Sequence, residues 1–241
     1  MDLEHLANRL AAFPELEMRI KELAAYMSGL DDAAFLLALE QIFERAFEEA
    51  VFRDLLLVWS LVMQGEEIDA RHFYLKVAAV EHDILLCQYL METRIYEFGH
   101  SDKKVEKSID YGVGRPLSLG ERKTLARTVD RKLMARALHD PDPSVIELLL
   151  GNPKVTESDV VRLCARRPAS YEVLQRVYCH PRWITKAAIK RALALNPALP
   201  LGYCLLLLPQ LLSQDRPLVL EQRELPDELL NYLQRFTKPS S

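Results

Sequence analysis

Leu3, Leu6 and Leu10 recur at helical spacing behind Asp2, a residue type that caps helix starts. Pro14 opens the next segment, where Leu16, Ile20, Leu23 and Met27 mark a second stripe closed by Gly29. Asp31 or Asp32 caps a third helix with an apolar face of Phe35, Leu36, Leu39, Ile42, Phe43 and Ala46. From Phe52 to Met63 the chain is apolar nearly all round, the signature of a helix surrounded by others. Beyond Gly65, a helix starting near Asp69 carries Phe73, Val77, Val80, Ile84, Cys87 and Met91 at alternating spacings of four and three. That spacing predicts the seam of a bundle, with Glu66, Glu67 and Asp69 marking a helix start rather than a metal site.

The pattern changes near residue 100. Residues 98–117 hold no sustained apolar period and read as a linker or loop. Ser118 and Glu121 then form a capping box, and helices become short, separated by X-Pro pairs. Two Asn-Pro pairs, at Asn152 and Asn196, stand 44 residues apart in matching surroundings: an apolar helix, Asn-Pro, a short turn, an apolar helix. A helix of about ten residues cannot bury its stripe alone, so such units must stack. The tail from Leu225 to Phe236, opened by Pro226, is expected to cap the last unit, and Thr237 to Ser241 to fray. The predicted fold is therefore all-α: a bundle over 1–97 and a stack of short helices over 118–241.

The stretch HPRWITKAAIKRALALNPALPLGYCLLLLPQL resembles the leucine-rich-repeat-variant and HEAT-like group of short helical repeats, a resemblance that covers roughly residues 130–212. It implies a curved helical stack, α-solenoid-like, that binds another macromolecule, and it implies no chemistry. Some relatives add a cysteine cluster; the spacing of Cys87, Cys164, Cys179 and Cys204 does not reproduce it.

Charge divides with the pattern. Residues 1–100 carry a net −11 and residues 101–241 a net +7, giving −4 overall. Without a CxxC pair or a secretion signal, the four cysteines read as reduced buried thiols of a cytoplasmic protein. The longest apolar stretches fall short of the ~20 residues that cross a bilayer. Gly114 and Gly120 are spaced wrongly for a phosphate loop, and Lys123 comes two residues late. His139, Asp140, Asp142 and His180 stand at helix boundaries and read as caps, and no catalytic motif is present, so no cofactor is expected.

Positive charge is concentrated between Val160 and Arg191, where Arg162, Arg166, Arg167, Arg176, Arg182, Lys186, Lys190 and Arg191 face one acid, Glu172. Arg182, Lys186 and Lys190 at i, i+4 and i+8 would line one helical ridge, with Ile184, Ala188 and Leu195 toward the core. Arg162 and Arg166 would make a second ridge on an earlier helix. Like charges so placed repel by a few tenths of a kcal/mol unless something anionic answers them. The leading reading is a non-catalytic adaptor that docks an acidic protein partner on this basic strip. Alternatives are a nucleic-acid-binding repeat, disfavoured because Tyr171, Tyr178 and Trp183 occupy expected core positions, and an enzyme without a recognisable motif.

Overall fold

A computed structural model describes residues 2–64, 66–92, 110–112 and 114–237, with 66–70 and 92 in backbone only. Among the described residues there are sixteen α-helices and no strand. The first six are α1 (Leu3–Ala11), α2 (Leu16–Ser28), α3 (Asp32–Arg45), α4 (Ala50–Val62), α5 (Glu66–Glu81) and α6 (Leu85–Glu92). Seven short ones follow: α7 (Leu119–Ala126), α8 (Arg131–Ala137), α9 (Pro143–Leu150), α10 (Glu157–Ala165), α11 (Tyr171–Tyr178), α12 (Pro181–Ile184) and α13 (Ala187–Ala194). The last are α14 (Leu201–Leu207), α15 (Arg216–Glu221) and α16 (Asp227–Thr237). No described helix is long and apolar enough to cross a membrane.

Two compact units result. One joins Met1–His100 to Pro200–Ser241; the other is Ser101–Leu199. In the first unit α4 is the axis. Phe52 and every residue from Leu55 to Val62 are buried, because α1, α2, α3 and α14 surround it. Trp59 meets Phe35 edge to face at 5.3 Å, and Asp2 and Asp31 cap α1 and α3 as expected.

The final forty residues belong to this bundle rather than to the short-helix array, which differs from a continuous 118–241 domain. Tyr203 donates to Gln64 Oε1 at 2.6 Å, Tyr232 donates to Glu44 at 3.1 Å, and Phe236 stacks on Phe47 at 5.1 Å. The reason lies in α14, whose residues from Gly202 to Leu207 are all buried. An end unit of a stack leaves one face in water, whereas α14 is enclosed by α4 and α6. Leu225–Phe236 thus covers the end of α3, not the last short-helix unit.

The expected seam on α5 also faces the other way. Phe73, Val77 and Val80 are exposed while Leu75, Ala78 and Ala79 are buried, and α5 ends before Asp83, whose φ of 52° lies in the left-handed region. That break resets the helical phase, so Cys87 and Met91 are buried on a separate helix, α6, with Ile84 buried just before its start.

In the second unit the punctuation reads as predicted. The Ser118–Glu121 capping box is present, a second one joins Thr156 to Asp159, and Asp142-Pro143 opens α9. The helices fall into two trios, α7–α8–α9 and α10–α11–α13, with α12 as an extra turn in the second. In each trio the third helix lies back on the first, and the asparagine after it ties the two ends together. Asn152 Nδ2 donates to the carbonyls of Ala126 (3.0 Å) and Thr128 (2.8 Å), while its Oδ1 accepts from Lys154 N–H (2.9 Å). Asn196 does the same with Cys164 (2.6 Å), Arg166 (3.0 Å) and Ala198 (3.0 Å). Each asparagine so occupies helix-end carbonyls that no intrahelical donor reaches.

Of the expected linker, residues 98–109 and 113 lie outside the described residues. The chain around Tyr111 is anchored. Tyr111 is buried and donates to Asp140 at 2.5 Å, Arg122 donates to the same carboxylate at 2.6 Å, and Arg136 donates to the Tyr111 carbonyl. Gly112 is required here twice over, by its φ of 73° and because a Cβ would fall on the Arg136 guanidinium. Of the tail expected to fray, residues 238–241 lie outside the described residues, while Thr237 is buried at the end of α16.

Candidate functional site

The second unit holds the positive charge: 19 basic against 11 acidic residues, a net +8, while the first unit carries −12. The eight basic residues of the strip do not form the two ridges. Helix α12 ends at Ile184 and Lys186 is the extended N-cap of α13, so Arg182, Lys186 and Lys190 sit on two helices and the junction between them. The same break turns Ala188 into solvent and leaves Leu195 half-buried, with Ile184 and Ile189 taking the core positions. Nothing in local spacing announces it, because Thr185 and Lys186 are ordinary helix residues.

For five of the eight, the chemistry of the partner decides what charge remains. Arg166 donates to the Leu138 carbonyl at 2.9 Å and Arg167 to that of Leu195 at 2.7 Å. Arg182 reaches the carbonyls of Asn152 (3.4 Å) and Val155 (3.2 Å) and lies over the Trp183 ring. A carbonyl positions a guanidinium without neutralising it, and pinning the long side chain removes in advance the entropy that binding would otherwise cost. Arg162 and Arg176 face carboxylates instead, Asp159 at 3.1 Å and Glu147 at 3.7 Å. Lys186 and Arg191 are exposed, and Lys190 is half-buried.

Arg162 and Arg166 are brought together with a residue that lies outside the basic run, Arg131 of α8. The three line a cleft of about 290 Å³ between α8 and α10, together with Leu138, His139 and Asp159. Asp159, almost fully buried, accepts both arms of Arg131 (2.7 and 2.8 Å), one of Arg162 and the Thr156 hydroxyl (2.7 Å). Burial works to raise its carboxyl, yet the bonds from Arg131 and Thr156 outweigh that and hold it below the ordinary value. It therefore stays ionised at neutral pH and answers one of the three positive charges. The cleft keeps a net excess of two.

Burial lowers the Arg166 guanidinium from its usual value, though it remains charged. Burial first, and the charge of Arg166 second, lower His139, so its imidazole is neutral at neutral pH. The arrangement suits recognition of a carboxylate or another oxyanion: guanidinium groups of planar N–H geometry held in place by hydrogen bonds, Arg166 partly desolvated and Arg131 and Arg162 exposed. Arg131 lies outside the charge-dense stretch of sequence and is close to it only in space. The signal available in the sequence was Asp159 itself, one residue before the basic run, as a capping-box acid able to gather arginines.

Other groups with chemical potential are placed structurally. Among the described residues no set of three or more His, Cys, Asp or Glu is arranged to hold a metal ion. The four cysteines form no disulfide; Cys87, Cys164 and Cys204 are buried, and burial raises their thiols. His180 caps α12 through its ring Nδ1, and burial lowers it. Tyr178 and Trp183 are buried, Trp183 donating to the Leu150 carbonyl at 2.9 Å, so neither ring offers a face for base stacking. Comparison of the chain with protein-family models, curated proteins and solved structures finds no match.

Proposed function

We propose that this chain is a non-catalytic adaptor of the cytoplasm that docks an acidic protein partner on the basic face of its second unit, centred on the α8–α10 cleft. The observation that carries this reading is the convergence of Arg131, Arg162 and Arg166 on one concave site holding a single carboxylate. Arg167 and Arg182, held by carbonyls, and the exposed Lys186 add to the positive charge of the unit that holds it. Complementary charge of this kind sets encounter rate and orientation, which is what an adaptor requires. The repeated asparagine tie supports reading the two trios as consecutive units of a short helical stack, the architecture that the repeat resemblance implies.

The test is binding of a fluorescent Glu/Asp-rich peptide to the intact chain and to the double variant Arg162→Gln, Arg166→Gln. Glutamine retains donors for the Leu138 carbonyl and for Asp159 while removing two charges from the cleft. An exposed charge pair is worth about 0.2–1 kcal/mol and a partly desolvated one more, so the variant is expected to bind roughly tenfold more weakly, with unfolding little changed. Equal binding refutes the cleft as the docking surface. Titration with duplex and single-stranded DNA near physiological salt separates the nucleic-acid alternative, for which micromolar binding would be required.

A further inference from the structure

Ten large apolar side chains stand exposed among the described residues, and four of them are gathered on two turns of α5: Phe73 (69%), Tyr74 (62%), Val77 (39%) and Val80 (61%). They lie at i, i+1, i+4 and i+7, so they form one continuous stripe along the helix. Isolated exposed apolar residues are ordinary, whereas a stripe with two aromatic rings packed edge to face at 5.8 Å marks a contact surface.

The stripe borders an open groove of about 560 Å³ between α5 and the start of α3. Phe73, Tyr74, Val77 and Ala78 line it together with the carboxylates of Asp31, Asp32 and Glu81, and no lysine or arginine is among its lining residues. Its two walls are fixed to each other. Arg71, near the start of α5, donates to Asp32 at 2.5 Å and to the Met27 and Leu30 carbonyls at 3.2 and 2.6 Å. The groove is thus preformed, and little ordering is left for a ligand to impose.

We infer that this groove docks an amphipathic helix of a protein partner, its apolar face on Phe73, Tyr74, Val77 and Val80 and its flanking lysines or arginines against Asp31, Asp32 and Glu81. Shape argues for a helix, since an apolar stripe beside a groove is what an i, i+3, i+4, i+7 ligand face fits. Charge decides the flanks. Three carboxylates line the groove; Arg71 answers Asp32, which leaves Asp31 and Glu81, and the unit that holds the groove carries −12, so an acidic helix or an anionic lipid surface is repelled. The site is independent of the basic cleft, and its failure would leave that reading intact.

The experiment uses the full chain and a fluorescein-labelled synthetic Leu/Lys amphipathic helix, followed by anisotropy, with the matching Leu/Glu peptide as its counterpart. The Leu/Lys peptide is expected to bind at micromolar concentration and one to one, and the Leu/Glu peptide at least tenfold more weakly. Phe73→Ser with Val77→Ser should weaken Leu/Lys binding at least tenfold, and Glu81→Lys several-fold. All three positions are exposed, so thermal unfolding of the variants serves as the check on folding. Binding indifferent to the Phe73/Val77 pair would mean mere electrostatic adsorption and would overturn the inference. So would a wild-type dimer in sedimentation velocity that the pair dissociates, since the groove's occupant would then be a second copy.

Discussion

Replacing Asn196 by alanine removes a side chain that satisfies three backbone groups at once. Asn196 is 1% exposed; its loss strands the carbonyl of Cys164 in the interior, and the Arg166 carbonyl and the Ala198 N–H in partly buried positions. A buried backbone group left unpaired costs about 1–3 kcal/mol, and one that water can partly reach sits at the low end of that range. Taking about 2 for the first and about 1 for each of the others gives a loss of about 4 kcal/mol. Asn152→Ala removes the same three bonds from the other trio and should cost nearly as much. Amide hydrogen exchange read by mass spectrometry reports the loss locally. Peptides from residues 119–199 should exchange between a hundred and a thousand times faster in either variant, since each 1.4 kcal/mol is about tenfold, while α4 peptides keep their protection. Acceleration below tenfold, or spread equally over both units, would refute the asparagine tie as the element that closes each trio.

Burial lowers both His139 and His180 relative to their unfolded values, so the neutral imidazole is the form that folds. The stability they contribute is complete above the unfolded value near 6.5 and is lost as pH falls below it. Denaturant midpoints of the second unit, followed by Trp183 fluorescence, should decline between pH 7.5 and 5.5, and His139→Gln should shallow the decline; a slope unchanged in that variant would exclude His139 as a contributor. Two glycines should respond oppositely to alanine. Gly112→Ala meets a positive φ and the Arg136 guanidinium, so it should destabilise by 1 kcal/mol or more, whereas Gly120→Ala, in α7 with nothing within 4 Å, should be neutral or stabilise by up to about 1 kcal/mol. Thermal unfolding distinguishes the pair, and equal shifts would contradict the placement of Gly112.

Local signals carried far in this chain. Caps at Asp2, Asp31, Ser118 and Asp142, the apolar circumference of α4, and the Asn-Pro pairs are visible in the linear order of residues. Capping, proline punctuation and helical period act within a few residues, so no knowledge of distant neighbours is needed to read them. The cation-rich stretch was visible for the same reason, as was its scarcity of acids.

What remained depended on partners remote in sequence. Phe73, Val77 and Val80 have the periodicity of a core face, and only the packing of Leu75, Ala78 and Ala79 inward turns that stripe to water. The tail pairs with residues nearly two hundred positions earlier, as in the Tyr232–Glu44 hydrogen bond, because its aromatic side chains pack against Phe43 and Phe47 at the end of α3. Arg131 meets Arg162 through the buried carboxylate of Asp159, and Arg166 lines the same cleft, a grouping that no spacing encodes. The linear chain determined where helices begin and end and which stretches carry charge, because those preferences act over a turn or two. Which apolar face is covered, and which cations share a cleft, were decided in three dimensions, where burial and Coulomb interaction depend on distance through space.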